Sequence, residues 1–198
     1  MTPEQRRALD LLTPSLDEGT YLAGGVAIAL RLRHRESRDL DLFVPHDFDA
    51  ERWAERLPEN VEVTGRARAT LHVQAAGVPV SILSYRYPLL ATPDRSLLSV
   101  PVASLDDLLC MKLSAIAGRG AAKDFWDLDA LLEHGVAQGT LSGALELYKR
   151  KFSSEDLGHV VRSLAYFGDA DRQPLPMGLT REHWSAVKRG MLQRVREL

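Results

Sequence analysis

The stretch Asp39-Leu40-Asp41-Leu42-Phe43-Val44 decides the interpretation of this sequence. Its apolar residues predict a strand, and successive side chains on a strand project from opposite faces of the sheet. Asp39 and Asp41 should therefore share one face. Two carboxylates aimed at one point repel each other unless a cation lies between them, and such hard oxygen ligands suit Mg²⁺ that also binds substrate phosphates. The stretch thus predicts a site for phosphoryl or nucleotidyl transfer.

An isolated Asp-x-Asp pair is more often the solvated face of an edge strand. Here the preceding sequence favours a site, because Tyr21-Leu22-Ala23 predicts a short strand that enters Gly24-Gly25, and the apolar spacing after it predicts a helix. Glycines at a strand-to-helix turn let backbone amides approach a phosphate, and the helix offers its positive N-terminal end. Gly24 and Gly25 are therefore candidate nucleotide-binding residues, although a tight turn is the commoner role of such a pair.

Four arginines occur in the eight residues 31–38, between this turn and the paired aspartates. Such a run is usually solvated surface. Next to paired aspartates it could instead contact a triphosphate or a nucleic-acid backbone, and Ser37 could hydrogen-bond phosphate oxygens. The basic runs 149–151 and 188–189 also suggest contact with a polyanion.

Hydrophobic periodicity predicts the remaining architecture. In the first half we expect helices to about Leu12 and over 51–57, and strands at 61–63, 70–75 and 78–83. The stretch 87–102 reads as a linker, and helices should follow at 104–117, 123–134, 140–151, 153–167 and 180–198. This pattern predicts an α+β fold. Residues 1–100 would form a mixed sheet flanked by helices, and residues 101–198 a helical lobe that packs on this core and completes the active site.

Composition sets the broad class. The 198 residues are 45% hydrophobic, enough for one substantial core, and the formal net charge of -2 does not indicate binding to nucleic acid over the whole surface. The first residues lack the apolar run of a signal peptide, and no stretch is apolar enough for a membrane helix, so we expect a cytoplasmic protein with no membrane partner. The single cysteine, Cys110, suits a small buried residue.

Two charged residues of the helical half are placed unusually. Lys112 falls within the apolar stripe of the helix predicted at 104–117, so it either reaches the surface as a structural residue or needs a phosphate or carboxylate partner. Asp124 lies on the apolar side of the next predicted helix. Its ordinary role would be that of a first-turn acid near the positive end of the helix dipole. Both are candidates for the site.

Four ordered motifs resemble those of the AbiEii/MenT family of toxin nucleotidyltransferases, within the DNA polymerase beta-like superfamily. Gly24-Gly25 followed by His34-Arg35-x-Ser37-x-Asp39-Leu40-Asp41-Leu42-Phe43 is similar to the first motif. Residues 106–113, with Lys112, resemble the helix that bears a functional lysine, and Arg119 with residues 123–128 resembles a later basic and acidic motif. Residues 166–170 and the region of Trp184 are similar to the C-terminal helices. The resemblance covers nearly the whole chain.

This resemblance implies a polymerase beta-like fold and two sets of site residues. It implies that Asp39 and Asp41 bind Mg²⁺ or Mn²⁺ and act in catalysis with Lys112 and Asp124. Lys112 would contact the triphosphate, and Asp124 would take part in catalysis or position that lysine. The implied nucleotide-binding residues are Gly24, Gly25, Arg35, Ser37 and Lys112.

One position departs from the superfamily pattern. A third carboxylate commonly stands on a neighbouring strand, where it helps to bind metal and activates the attacking hydroxyl. The equivalent position here is Ser81, and serine cannot act as a base at neutral pH. Asp124 could take that role, and His72 on the adjoining strand could be an auxiliary base, although a polar surface is the commoner explanation for a histidine there.

The predicted function is transfer of a nucleoside monophosphate from a nucleoside triphosphate (NTP) to an acceptor hydroxyl. By resemblance, the acceptor is the 3′ end of tRNA, and the protein is the toxin of a toxin-antitoxin or phage-defence pair with a cognate antitoxin. Two alternatives stay open. Ser81 favours a catalytically weak nucleotide-binding or interaction module, and a small molecule such as an antibiotic is another conceivable acceptor.

Overall fold

The computed structural model describes residues 1–198. The first helix, α1 (Pro3–Leu12), begins with a capping box: Gln5 N donates to the Thr2 hydroxyl, and Thr2 N donates to the Gln5 side chain. Thr2 and Gln5 thus satisfy two backbone amides that would otherwise lack partners. The predicted helix to Leu12 is confirmed.

A five-stranded sheet forms the core of the first half. Its strands are β1 (Tyr21–Ala23), β2 (Leu40–Val44), β3 (Val61–Ala67), β4 (Thr70–Ala75) and β5 (Val78–Ser84), and their spatial order is β1-β2-β5-β4-β3. The pair β2 and β5 is parallel, whereas the other three neighbouring pairs are antiparallel. The predicted mixed sheet is therefore confirmed, as is the hairpin between β4 and β5.

The two faces of this sheet differ in burial. One face is fully buried, and it carries Leu40, Leu42, Val44, Leu71, Val73, Val80 and Ile82. The opposite face, called the open face below, carries half-buried or exposed side chains, including Asp41, Phe43, Ser81 and His72. The alternation predicted for residues 39–44 thus places the polar side chains on the open face.

Nine α-helices accompany the sheet, and six of them follow it in the chain. Between the strands lie α2 (Gly24–Leu32) and α3 (Ala50–Ala54). The later helices are α4 (Leu105–Gly118), α5 (Ala122–Glu133), α6 (Leu141–Phe152), α7 (Gly158–Leu164), α8 (Gly168–Asp171) and α9 (Arg181–Arg196). This order matches the predicted α+β class with a helical second half.

Three predicted elements have the wrong extent, and the first is the helix expected at 51–57, which ends at Ala54. The helix expected at 153–167 is only α7, because Ser153 adopts a left-handed conformation with φ of 49° and the Asp156 side chain accepts a hydrogen bond from Gly158 N. The strand expected at 61–63 continues to Ala67, since a register shift between Val63 and Gly65 lets its pairing with β4 resume.

The chain divides into two compact units. The first consists of residues 1–31 and 36–104, and the second consists of residues 32–35 and 105–198. The division falls at Ser104 and Leu105, and the four residues 32–35 belong with the helices rather than with the sheet. None of the helices has the length and apolar character that crossing a membrane requires.

Candidate active site

The turn between β1 and α2 lies against the carboxylate of Asp41. Gly24 begins α2 with φ of 68°, a conformation that L side chains rarely adopt. A Cβ atom at Gly24 would lie 2.1 Å from Asp41 Oδ2, so no other residue fits without displacing that carboxylate. Strand pairing explains the proximity, because Ala23 is directly opposite Asp41. The Gly24 turn and the Asp41 carboxylate, two separate candidates from the sequence, therefore lie next to each other.

Asp39 stands directly before β2 and is exposed. The chain contains no cluster of three or more histidine, cysteine, aspartate or glutamate side chains placed to hold a metal ion. Two carboxylates still fit Mg²⁺, because this ion keeps several waters and usually binds proteins through one or two carboxylates plus substrate phosphates. Asp41 in the space left by Gly24 offers one such carboxylate, and Asp39 offers a second two residues earlier.

Ser81 occupies the position next to Asp41 on the neighbouring strand. The two residues are partners in the parallel pairing of β2 with β5. On its other side, Ser81 pairs with His72 of β4, and His72 Nδ1 lies 3.1 Å from Ser81 Oγ. A hydroxyl and an imidazole therefore stand beside Asp41 where a third carboxylate would be expected.

The segment before β2 is fixed by its backbone. Gln5 of α1 is buried, and its side-chain amide donates hydrogen bonds to the carbonyl oxygens of Ser37, at 2.7 Å, and Arg38, at 3.1 Å. Ser37 is thus held close to the start of β2 by a residue that the sequence did not single out. Its hydroxyl remains a predicted phosphate ligand.

In the second unit, Lys112 is buried between two carboxylates. Its ammonium lies 2.9 Å from Asp124 Oδ1 and 2.7 Å from Asp127 Oδ2, and only 7% of its side chain is exposed. Asp124 also accepts hydrogen bonds from the Arg119 guanidinium at 2.9 and 3.1 Å. The inward-facing lysine predicted from the apolar stripe therefore has carboxylate partners.

Asp127 has a second group of partners in residues 32–35. Arg35 binds it in a bidentate manner, with Nε 2.5 Å from Oδ1 and Nη2 2.8 Å from Oδ2. His34 Nε2 donates to Oδ1 at 2.7 Å. The Arg35 side chain is 5% exposed and forms an ion pair with Asp127, and its role in nucleotide binding stays a prediction.

The balance between burial and neighbouring charges explains the protonation states of Asp124, Asp127 and Lys112. Burial alone would raise the pKa of Asp127, but the Lys112 charge and hydrogen bonds from Arg35 and His34 hold that pKa well below its ordinary value. Burial likewise opposes ionisation of Asp124, yet Lys112 and Arg119 lower its pKa. The two aspartates in turn raise the pKa of Lys112 against the effect of burial. Asp124, Asp127 and Lys112 are therefore in their charged forms near neutral pH.

The ionised state of Asp124 bears on its predicted role as the catalytic base. A carboxylate with a lowered pKa, held by Lys112 and Arg119, binds a proton weakly, and Asp124 has no exposed surface. The contacts therefore favour the second implied role of Asp124, which is to position Lys112. Asp127, missed in the sequence, contacts the Lys112 ammonium in the same way. Its spacing of three residues from Asp124 puts both carboxylates on one side of α5, and that spacing was the available signal.

Two lysines of the basic runs 149–151 and 188–189 form ion pairs within the protein. Lys151 forms a completely buried ion pair with Asp107 at 2.7 Å, and Lys188 lies 2.9 Å from Asp171. Cys110, one turn of α4 from Asp107, is buried as expected, and burial raises the pKa of its thiol to about 12.

Comparison with known proteins agrees with these features. The family model described as nucleotidyl transferase AbiEii toxin, type IV toxin-antitoxin system, matches residues 7–92 and 79–197. An uncharacterized protein of Aquifex aeolicus (strain VF5) is 35% identical over 202 residues, which cover 98% of this chain and 95% of that protein.

Two solved structures are similar in fold. The MenT4 nucleotidyltransferase toxin of Mycobacterium tuberculosis H37Rv has a TM-score of 0.63 at 18% identity, covering 98% of this chain and 82% of its own. JHP933 from Helicobacter pylori has a TM-score of 0.54 at 17% identity. The match covers 98% of this chain and 90% of JHP933.

The mixed five-stranded sheet with its helices matches the fold of a nucleotidyltransferase toxin. Since the family model spans nearly all of the sequence, the chain belongs to the AbiEii nucleotidyltransferase toxin family, as the motifs indicated. At the level of the family, it is a nucleotidyltransferase that uses an NTP.

Proposed function

We propose that this protein transfers a nucleoside monophosphate from an NTP to the 3′-terminal hydroxyl of a tRNA, as the growth-inhibiting toxin of a pair with a cognate antitoxin. The observation that carries the proposal is the fit of Asp41 against Gly24, where a Cβ would lie 2.1 Å from the carboxylate. Only glycine permits an acidic side chain and the amide-rich start of α2 to meet at one point.

Asp39 and Asp41 are the residues that would hold Mg²⁺ or Mn²⁺. When bound, the ion supplies positive charge to the phosphates and polarises the α-phosphate. The backbone amides of Gly24 and Gly25, at the positive end of α2, provide hydrogen bonds for phosphate oxygens. Ser37 adds a hydroxyl from the segment that Gln5 fixes. These residues orient the triphosphate for attack.

The proton of the acceptor hydroxyl needs a base. The new bond forms between the acceptor oxygen and the α-phosphorus, the bond from the α-phosphorus to the bridging oxygen breaks, and pyrophosphate leaves. His72 is the supported base, because its imidazole is hydrogen-bonded to Ser81, the neighbour of Asp41. Asp124, ion-paired with Lys112 and Arg119, is the weaker candidate and serves better to position Lys112, to which the resemblance assigns the triphosphate.

Nucleotide binding is the first test. In the presence of Mg²⁺, an NTP should raise the melting temperature of the protein, since a ligand that binds only the native state stabilises it. The double variant Asp39→Asn and Asp41→Asn should lose this shift. If the wild type shows no metal-dependent shift, or the double variant keeps it, the proposed site is wrong.

Transfer is the second test, and it separates the candidate bases. The protein, each labelled NTP and tRNA are incubated, and label on the RNA is measured for the wild type, His72→Gln and Asp124→Asn. We expect His72→Gln to bind nucleotide normally and lose transfer by roughly a hundredfold. If nucleotide binds without transfer in the wild type, the nucleotide-binding module becomes the better description. Full activity of His72→Gln would exclude His72 as the base.

A further inference from the structure

A groove on the first unit lies beyond the ends of β2 and β5. It has a volume of about 770 Å³ and is lined by Asp47, Arg68, Ser84, Tyr85, Arg86 and Tyr87, among others. Arg68 belongs to the turn between β3 and β4, and the other basic and aromatic residues follow β5 directly. The groove is distinct from the Asp41 position, which lies three residues before the end of β2.

A row of aromatic rings along the open face connects the Asp41 position with the groove. Tyr21 stacks on Phe43 with centroids 5.9 Å apart, and Phe43 meets the edge of Tyr85 at 5.2 Å. Tyr85 in turn contacts Tyr87 at 5.2 Å. Because Phe43 is two residues from Asp41 on the same face, the row begins beside the carboxylate and ends at the groove, where Tyr87 is 53% exposed.

The groove also carries two arginines, Arg68 and Arg86, whose charges contribute little to the stability of the fold. Arg68 is exposed and has no carboxylate within ion-pair distance. Arg86 lies 3.4 Å from Asp47, but their side chains are 72% and 49% exposed, and such surface pairs contribute little to stability. A phosphate could therefore replace Asp47 as the partner of Arg86 at small cost.

Other arginines and lysines that looked suited to a polyanion are committed elsewhere. Arg35 is bound by Asp127, and Lys151 is buried against Asp107. Arg31 lies 3.8 Å from Asp94 and is largely buried. The groove thus combines accessible guanidinium groups with an exposed aromatic ring, the combination that binds single-stranded nucleic acid without reading its sequence.

We propose that this groove binds the single-stranded segment that precedes the acceptor hydroxyl, with a base stacked on Tyr87 and phosphates at Arg68 and Arg86. This inference rests on the proposed function, since it assigns a subsite to the same RNA substrate. From Ser81 to Tyr85 the strand spans roughly 13 Å, which corresponds to about four stacked nucleotides. The RNA would run along the open face, with its end at Asp41 and its upstream part in the groove.

Direct binding tests the stacking without requiring catalysis. Fluorescence anisotropy measures the affinity of a labelled single-stranded RNA of about eight nucleotides, with neither NTP nor metal added. We expect Tyr87→Ala to weaken binding about tenfold, since each base stacked on an aromatic ring contributes substantially, and Tyr87→Trp to retain it. Tyr166→Ala is the matched control, because Tyr166 is 55% exposed and Tyr87 is 53% exposed. Its affinity should equal that of the wild type.

Salt dependence tests the phosphate contacts separately. Loss of one contact to a single strand lowers the slope of log affinity against log salt by about 0.7. Arg68→Gln should show this decrease, whereas Tyr87→Ala should weaken binding at an unchanged slope. Arg95→Gln, which removes another exposed arginine of the first unit, is the control and should leave the slope unaltered.

Three results would overturn the inference: equal affinity of Tyr87→Ala and Tyr166→Ala, an unchanged slope in Arg68→Gln, or preference for duplex over single-stranded RNA. Each leaves the proposed function standing if NTP binding through Asp39 and Asp41 and transfer to tRNA persist. Conversely, failure of NTP binding would remove the proposed function without changing the RNA affinity. Transfer of label to protein, with no RNA binding, would exclude the groove as the acceptor subsite and retain the nucleotidyltransferase.

Discussion

Among single residues, Gly24 combines two constraints. Its φ of 68° disfavours any side chain, and a Cβ would also strike Asp41 Oδ2. Gly77, in the hairpin between β4 and β5, shares only the first constraint, since its φ is 77° and nothing lies within 4 Å of a Cβ built there. Comparison of the two glycines therefore separates backbone strain from displacement of the carboxylate.

We expect Gly24→Ala to abolish metal-dependent NTP binding, because Asp41 must move. Gly77→Ala should bind NTP normally. Both variants should lose about 1–2 kcal/mol of stability to the left-handed conformation, with a further loss in Gly24→Ala from the clash. Calorimetry measures the affinity and urea unfolding the stability. Equal NTP affinity of the two alanine variants would contradict the role given to Gly24.

At the scale of elements, the ion pair between Lys151 and Asp107 joins α6 to α4 in the second unit. Both side chains are completely buried, at a distance of 2.7 Å. Removing one partner leaves the other charge buried without its ion-pair partner, whereas replacing both with apolar residues is often neutral or stabilising. The pair thus determines how well these two helices tolerate substitution.

Lys151→Met should therefore lower the free energy of unfolding by about 3–5 kcal/mol, and adding Asp107→Leu should recover most of the loss. Lys149→Met is the control, since Lys149 pairs with Glu146 at the surface and should change stability by less than about 1 kcal/mol. Urea unfolding of the four proteins measures these differences. If Lys149→Met and Lys151→Met are equally stable, the buried ion pair contributes no more to stability than the surface pair does.

The same elements show how far the sequence could predict the structure. The turn at Gly24 and the strand with Asp41 were predictable because both depend on local spacing and alternation. The sequence predicts contact with a polyanion for Lys151, because it ends a basic run. Its position three residues after the buried Tyr148 continues the apolar side of α6, but its partner is 44 residues earlier in the chain. Asp127 was missed similarly, since Arg35 reaches it across 92 residues.

For the whole molecule, the Lys112 network makes stability depend on pH. Asp124 and Asp127 have pKa values lowered from 3.8, because the charges of Lys112, Arg119 and Arg35 outweigh the effect of burial. The unfolded chain therefore binds protons at a higher pH than the native protein does. The stability from these two aspartates is fully present above their ordinary pKa and is lost as pH falls through their native values. Lys112, whose pKa is raised from 10.5, loses its contribution only at the alkaline end.

Asp127→Asn isolates this effect. It should cost about 3–5 kcal/mol near neutral pH, because Arg35 loses its bidentate carboxylate partner and Lys112 loses one of two. Below about pH 5 the variant should lose less stability than the wild type as the pH falls, since position 127 no longer titrates. Asp129 acts in the opposite sense, as burial raises its pKa, but it is common to both proteins and cancels in the comparison.

Asp171→Asn is the control for the acid range. Hydrogen bonds from Lys188 and Trp184 lower the pKa of Asp171, but this carboxylate is exposed, so its effect should be small. Urea unfolding of the three proteins at several pH values measures each curve. We expect the curves of the wild type and Asp171→Asn to run parallel, and that of Asp127→Asn to be flatter towards acid. An Asp127→Asn curve as steep as the wild type would mean that the acid sensitivity of the protein arises outside the Lys112 network.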